Sequence, residues 1–204
     1  MSAHSQTLLI LGASGDLTRR LLLPGIGSLV AGGYADDLLL MGSGSDELSD
    51  EDWRSRVGQA FDNAGFSGPA IELVTREATY VKADVTNERG LRRLIEACEG
   101  VPILYFALPP AVAVEACKVL QKVEIPEGTR LVMEKPFGTD ADSAQALNEL
   151  LTRLVPERSI HRVDHFLGLS TVLNIVGLRF ANRLLEPVLN STHVESVEVV
   201  WDES

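Results

Sequence analysis

The chain has 204 residues, 45% of them apolar, enough for one large domain or for one domain and part of another. Its 18 Lys and Arg against 29 Asp and Glu give a formal charge of −11. That balance argues against nucleic acid or an anionic membrane as the main partner, because both call for clustered positive charge. It leaves room for a phosphorylated ligand held locally at a helix N-terminus.

No apolar run reaches the length of a membrane span. The N-terminus lacks the basic region of a secretory signal. Cys98 and Cys117 fit no metal or redox spacing. A cytoplasmic protein with reduced thiols and no bound metal is expected.

In chain order, short apolar runs alternate with longer amphipathic ones. "TLLILG" (7–12) predicts a buried strand, and "SGDLTRRLLLPGIGSLVAGG" predicts a helix with Pro24 inside it. "LLLMG" (38–42) is a second strand, followed by the acidic-start helix "DELSDEDWRSRVGQAFDNAG". "GFSGP" (65–69) reads as a surface loop. "ATYVKADV" (78–85) is a third strand before the helix "NERGLRRLIEAC". "PILYFALPP" (102–110) is a fourth before "AVAVEACKVLQK". "TRLVMEKP" (129–136) is a fifth strand, "DADSAQALNELLTRLV" a helix, and "SIHRVDHF" (159–166) a sixth strand.

Six strands alternating with helices predict an α/β fold, a doubly wound, Rossmann-like parallel sheet with helices on both faces. Its ligands bind at the C-terminal strand ends. The style then changes. "STVLNIVGLRFAN" predicts a helix, "RLLEPVLNSTH" a turn region, and "VESVEVVW" (194–201) a strand with period-2 alternation and no partner. The expected division is a dinucleotide-binding domain over 1–168 and, over 169–204, the start of a truncated α+β substrate and dimerisation domain.

The first turn, Gly12, Ala13, Ser14, Gly15 and Asp16, joins a strand to a helix. Backbone N–H groups at such a start can hold a pyrophosphate, and the glycines allow close approach. The spacing is G-x-x-G, which a βα turn without any ligand also shows. At the end of the second strand, where an acid favours a free ribose 2′-OH and an Arg a 2′-phosphate, stand Ser43, Ser45 and Asp46 with no Arg. Electrostatics alone lean to NAD there.

"ALPP" (107–110) and "EKPFG" (134–138) close the fourth and fifth strands at the ligand edge. Lys135, whose bond to Pro136 is open to the cis form, is placed to hydrogen-bond a substrate hydroxyl and the cofactor together. A surface lysine in a turn is the plainer alternative. Asp164 and His165 are neighbours in the sixth predicted strand and would point to opposite faces, so they would serve different partners. An Asp bonded to an imidazole fixes its tautomer, and that imidazole need not be His165. A helix-capping Asp beside a half-buried His is the alternative. His4, His161 and His193 carry no assigned role.

The phrases "GASGDLTRRLLLPG", "YFALPP", "EKPFG", "HRVDHFLG", "LRFAN" and "EPVLN", in this order and spacing, resemble the glucose-6-phosphate dehydrogenase family over essentially the whole chain. The resemblance implies oxidation of glucose 6-phosphate at C1 to the lactone. It implies NADP as the hydride acceptor, with NAD the alternative that Ser45 raises. It places the pyrophosphate on Gly12, Ala13, Ser14, Gly15, Asp16 and Leu17. It places Ser45 where the family has its 2′-phosphate Arg. Asp84 and Val85 fall on the adenine side, and Leu108 and Pro109 on the cofactor edge. Lys135 resembles the lysine shared by substrate and cofactor. His165 resembles the histidine on the sugar phosphate, Asp164 the partner of the catalytic histidine, and Glu203 a sugar-contacting acid.

The departures are Leu21, Phe166, Leu169 and Ser170. Leu21 and Leu169 replace two cations expected at the substrate. Each lost charge-assisted bond costs about 1.5–3 kcal/mol, so a different, unphosphorylated sugar is a second reading. A stand-alone nucleotide-binding module is a third. The general-base histidine that the resemblance implies is none of the four here, so the chain alone is expected to be nearly inactive. A homo-oligomer through the rest of the second domain is the expected assembly.

Overall fold

The computed structural model describes residues 5–35, 37–198 and 200. The chain divides into two compact units, Met1–Val163 and Asp164–Ser204.

The first unit holds six parallel strands, β1 (Gln6–Leu11), β2 (Leu38–Gly44), β3 (Thr79–Lys82), β4 (Val101–Phe106), β5 (Arg130–Glu134) and β6 (Ile160–Val163). Their order across the sheet is β3-β2-β1-β4-β5-β6. Between the strands run α1 (Leu23–Ala31), α2 (Asp50–Asn63), α3 (Pro69–Glu77), α4 (Glu88–Ala97), α5 (Pro110–Leu120) and α6 (Ala141–Leu154). This is the doubly wound sheet that the alternation predicts.

Period-2 side-chain alternation divides the apolar residues of the strands between two cores. Ile10 and Leu40 pack with Leu23, Trp53, Phe61 and Val74 from α1, α2 and α3. Leu9, Leu11, Leu104 and Leu131 pack with Leu94, Cys117 and Leu151 from α4, α5 and α6. Strand order reverses between β1 and β4, which makes their C-terminal ends the switch point where such sheets bind ligands.

Local chemistry fixes the helix starts. Ser49 caps α2 in a capping box, its Oγ accepting from the Asp52 N–H at 3.1 Å and the Asp52 carboxylate accepting from the Ser49 N–H at 3.0 Å. Asp140 and Ser143 form the same device at α6. The helix after the first turn passes through a π-helical turn, Thr18–Leu22, just before Pro24, an irregularity of the kind that admits a proline inside a helix.

Two differences from the sequence expectations stand out. α3 follows the "GFSGP" loop as an additional helix, with Pro69 in its first turn. β6 ends at Val163, so Asp164 and His165 leave the strand. Asp164 precedes a 3₁₀ turn, His165–Gly168, and its carbonyl accepts from the Leu167 N–H at 3.1 Å. Opposite-face alternation therefore does not govern that pair.

In the second unit, α7 (Ser170–Phe180) forms as expected and turns follow it. Residues 194–198 and 200 show no strand, and residues 199 and 201 of the strand expected over 194–201 lie outside the described residues. Alternation alone does not make a strand, because its N–H and C=O groups require a neighbouring ladder.

Candidate functional site

The rim at the C-terminal strand ends is built around the first turn. The N–H groups of Gly12 and Ala13 both donate to the Ser43 carbonyl at 2.8 Å, which ties the turn to β2. Gly15 N–H donates to the Gly12 carbonyl at 3.1 Å, and the buried Thr18 hydroxyl donates to the same oxygen at 3.3 Å. Gly12 has φ +89°, and a Cβ on it would lie 2.1 Å from the Ala107 carbonyl oxygen and 3.2 Å from Leu108 Cδ2. The turn thus lies against the end of β4 as closely as backbone permits, and only glycine fits.

The helix that follows presents its first N–H groups, which have no earlier intrahelical carbonyl to bond. Asp16 beside them is exposed and pairs with Arg19 at 3.0 Å and Arg20 at 3.1 Å. The Arg19 hydrogen bond, then that of Arg20, holds its carboxyl below the usual range. Two guanidinium groups against one carboxylate leave the mouth of the turn locally positive.

Moving outward, Gly44 ends β2 and Ser45 follows it, exposed. A Cβ on Gly44 would meet Tyr80 Oη at 2.9 Å and Ser14 Oγ at 3.3 Å, so the first turn and the ends of β2 and β3 share one corner. The Tyr80 hydroxyl donates to the Asp46 carbonyl at 3.2 Å. Lys82, the last residue of β3, pairs with Glu47. Asp84 accepts from the Thr86 hydroxyl at 2.7 Å and N–H at 2.9 Å, the hydroxyl bond first among the causes that hold its carboxyl low. Val85 beside it is buried, and a Cβ on Gly90 in α4 would strike the Asp84 carbonyl oxygen at 2.2 Å.

On the other side of the switch point, Leu108 and Pro109 follow β4, and Lys135 follows β5, exposed and joined to Pro136 by a cis peptide bond. One residue before Lys135, Glu134 accepts a hydrogen bond from the Tyr105 hydroxyl across the β4–β5 pair. Tyr105 stands opposite Val132 in the register, which puts Tyr105 and Glu134 on the same sheet face. Burial, then the bond to Glu134, pushes the Tyr105 phenol up.

The fold therefore brings Gly12 to Leu17, Ser45, Asp84, Val85, Leu108, Pro109 and Lys135 to the strand ends of β1 to β5. Asp164 follows β6 directly, half-buried, and His165 is exposed. Glu203 lies outside the described residues. Sequence reading missed the Lys82–Glu47 and Tyr105–Glu134 pairs. Period-2 alternation hints at the second, whereas the first depends on how β3 pairs with β2.

The turn fits a dinucleotide. Gly12 lets the turn close against the end of β4, and the helix that follows delivers N–H groups at the switch point. Leu21 does not supply the expected cation; it lines an apolar cavity of about 610 Å³ with Leu8, Leu29, Ile103 and Val132.

A parallel six-stranded sheet with a glycine turn at its switch point defines a dinucleotide-binding α/β domain. The family described as "Glucose-6-phosphate dehydrogenase, NAD binding domain" matches residues 9–174. The chain belongs to the glucose-6-phosphate dehydrogenase family. It is 33% identical to glucose-6-phosphate 1-dehydrogenase 6, cytoplasmic, of Arabidopsis thaliana, over 97% of this chain and 42% of that protein. It superposes on glucose-6-phosphate 1-dehydrogenase from Mycobacterium avium with a TM-score of 0.76 and 30% identity, covering 92% of this chain and 42% of that one. It also superposes on a glucose-6-phosphate dehydrogenase in complex with its substrate, with a TM-score of 0.78 and 27% identity, covering 94% and 43%. The chain thus spans about 42% of the length of these relatives.

Proposed function

We propose that this chain is the dinucleotide-binding part of an enzyme that oxidises glucose 6-phosphate at C1, with NADP as hydride acceptor. The observation that carries the reading is the glycine turn wedged against Ala107 at the switch point of a sheet belonging to this family. Gly12 to Leu17 would hold the pyrophosphate, Asp84 and Val85 the adenine side, and Leu108 and Pro109 the edge of the nicotinamide half. When bound, the nicotinamide accepts the hydride from C1.

Lys135 donates a hydrogen bond to the substrate hydroxyl at the end of β5, His165 binds the sugar phosphate, and Asp164 orients a histidine that acts as base. Glu203 would contact the sugar. A cytoplasmic location and a homo-oligomeric assembly belong to the same proposal. The Arabidopsis relative named as cytoplasmic supports the first.

A calorimetric titration of the purified chain with NADP+ and with NAD+ tests the reading. Saturable binding of at least one is expected, and no affinity for either sinks it. Turnover of glucose 6-phosphate by the chain alone should fall on the order of 10²–10⁴-fold below that of a whole relative, the usual loss when a general base is missing.

A second reading, oxidation of an unphosphorylated sugar, is favoured by Leu21, an apolar residue where the family resemblance implies a cation at the substrate. A whole protein containing this chain that oxidises glucose faster than glucose 6-phosphate would select it.

A further inference from the structure

We infer that Lys82 is the cation that receives the 2′-phosphate of an NADP-type dinucleotide, standing in for the arginine that position 45 lacks, and that Glu47 holds it until the phosphate arrives. The inference rests on the dinucleotide reading above and concerns only which form of the dinucleotide is chosen.

The geometry is set by strand register. Lys82 stands opposite Gly44 in the β3–β2 pair, and Ser45 is the next residue of β2's chain. The same corner holds Ser14 of the first turn, whose Oγ lies 3.3 Å from where a Gly44 Cβ would be. The Lys82 ammonium pairs with the carboxylate of Glu47, two residues beyond Ser45. The Tyr80 hydroxyl fixes the intervening loop by donating to the Asp46 carbonyl at 3.2 Å. A cation from the neighbouring strand therefore reaches the loop where the sequence has lost its own.

The charge balance there makes such a cation necessary. Asp46 and Glu47 both follow Ser45, and a 2′-phosphate would add a charge of about −1.5 to −2 beside them. Uncompensated, that repulsion favours the 2′-OH of NAD. The Lys82–Glu47 pair is well exposed, at 49% and 85% for the two side chains, so it contributes little and exchanges readily. A phosphate offers three strong acceptor oxygens and more charge than the carboxylate, so it displaces Glu47. NAD has nothing to offer Lys82 and leaves the pair intact.

Arg54 of α2 pairs with Asp50 at 3.9 Å, and Arg56 of α2 is a further cation in this neighbourhood. It acts on the Tyr80 phenol in opposition to Asp46. Unlike Lys82, it has no strand register that places it beside residue 45.

Calorimetry with NADP+ and NAD+ on the native chain, Lys82→Met, Glu47→Gln and Arg56→Met tests the assignment. Native protein should bind NADP+ at least as tightly as NAD+. Lys82→Met should weaken NADP+ by about 10- to 100-fold, the loss of one charge-assisted contact, and leave NAD+ within about twofold. Glu47→Gln should tighten NADP+ several-fold with NAD+ unchanged, a gain that a merely structural role for the pair would not give. Equal losses for both nucleotides in Lys82→Met, loss of NADP+ in Arg56→Met instead, or tighter NAD+ in the native chain would each overturn it. Failure of both nucleotides to bind native protein is a separate result, which removes the dinucleotide reading itself.

Discussion

The Cα of Gly12 faces the carbonyl of Ala107 so closely that a methyl group on it would sit 2.1 Å from the oxygen. Two strands on either side of the switch point, β1 and β4, are locked together through that contact. Gly12→Ala must push the first turn off β4 and also hold alanine at φ +89°. It should destabilise the chain by roughly 2–4 kcal/mol and abolish dinucleotide binding. Gly25→Ala is the control. It lies in α1 with nothing within 4 Å of its Cβ position, so it should be neutral or stabilise by up to about 1 kcal/mol. Urea unfolding of both variants, with calorimetry, separates the outcomes. An undisturbed Gly12→Ala would show that the close approach is dispensable.

The helix caps set the acid limb of stability. Hydrogen bonds from the Ser49 hydroxyl and N–H hold the Asp52 carboxyl low, and those from Ser143 do the same for Asp140. A carboxylate whose folded pKa lies below its unfolded value of 3.8 contributes stability above that pH and loses it as pH falls through the folded pKa. Asp16 and Glu157 are lowered too, by Arg19 and Arg162 first, and act in the same direction. Melting temperature should be nearly flat from about pH 5 to 8 and drop below about pH 4. Ser49→Ala should lose roughly 1 kcal/mol at neutral pH, and less once pH falls through the lowered folded pKa of Asp52. A cost independent of pH would rule out the paired capping box.

What the sequence shows of this fold follows from which forces are local. The β1 to β5 runs are legible because a parallel sheet covered on both faces needs continuous apolar stretches. The glycine turn is legible because positive φ and close approach admit few other residues. α3 is missed because Gly65 to Pro69 read as one loop, whereas Pro69 is a helix-opening residue after the positive-φ Gly68. β6 is read too long because Asp164 and His165 continue the sequence pattern while the Asp164 carbonyl already closes a turn on Leu167. Glu47 and Lys82 are 35 residues apart and meet only through β2–β3 register, which no local pattern encodes.

Both cysteines are built to be inert. Cys117 is fully buried, Cys98 is half-buried with its Sγ donating to the Leu94 carbonyl, and burial pushes both thiols up to about 12. At pH 8 the thiolate fraction would be on the order of one in ten thousand, and the thiolate is the nucleophile. Ellman's reagent should leave both untouched in native protein and modify both in concentrated urea. Because the folded pKa lies above the unfolded value of 9.0, the stabilisation is whole below pH 9 and is lost as pH rises toward 12. Rapid reaction of one thiol in native protein at pH 8 would contradict this.

Trp53 separates packing from hydrogen bonding. Its ring is fully buried under the sheet, 6.1 Å between centroids from Tyr80, and so close to Gly42 that a Cβ there would lie 2.8 Å from it. Its indole N–H is buried with no acceptor among the described residues. Trp53→Ala removes the ring and leaves a cavity, so it should cost about 3–5 kcal/mol. Trp53→Phe keeps much of the ring volume and deletes an unsatisfied donor, so the two effects oppose each other. Its cost should be under about 2 kcal/mol. Guanidinium unfolding followed by circular dichroism, which does not depend on the indole, measures both. Equal costs for the two variants would mean that the indole N–H has a partner and that its bond, not ring volume, holds α2 on the sheet.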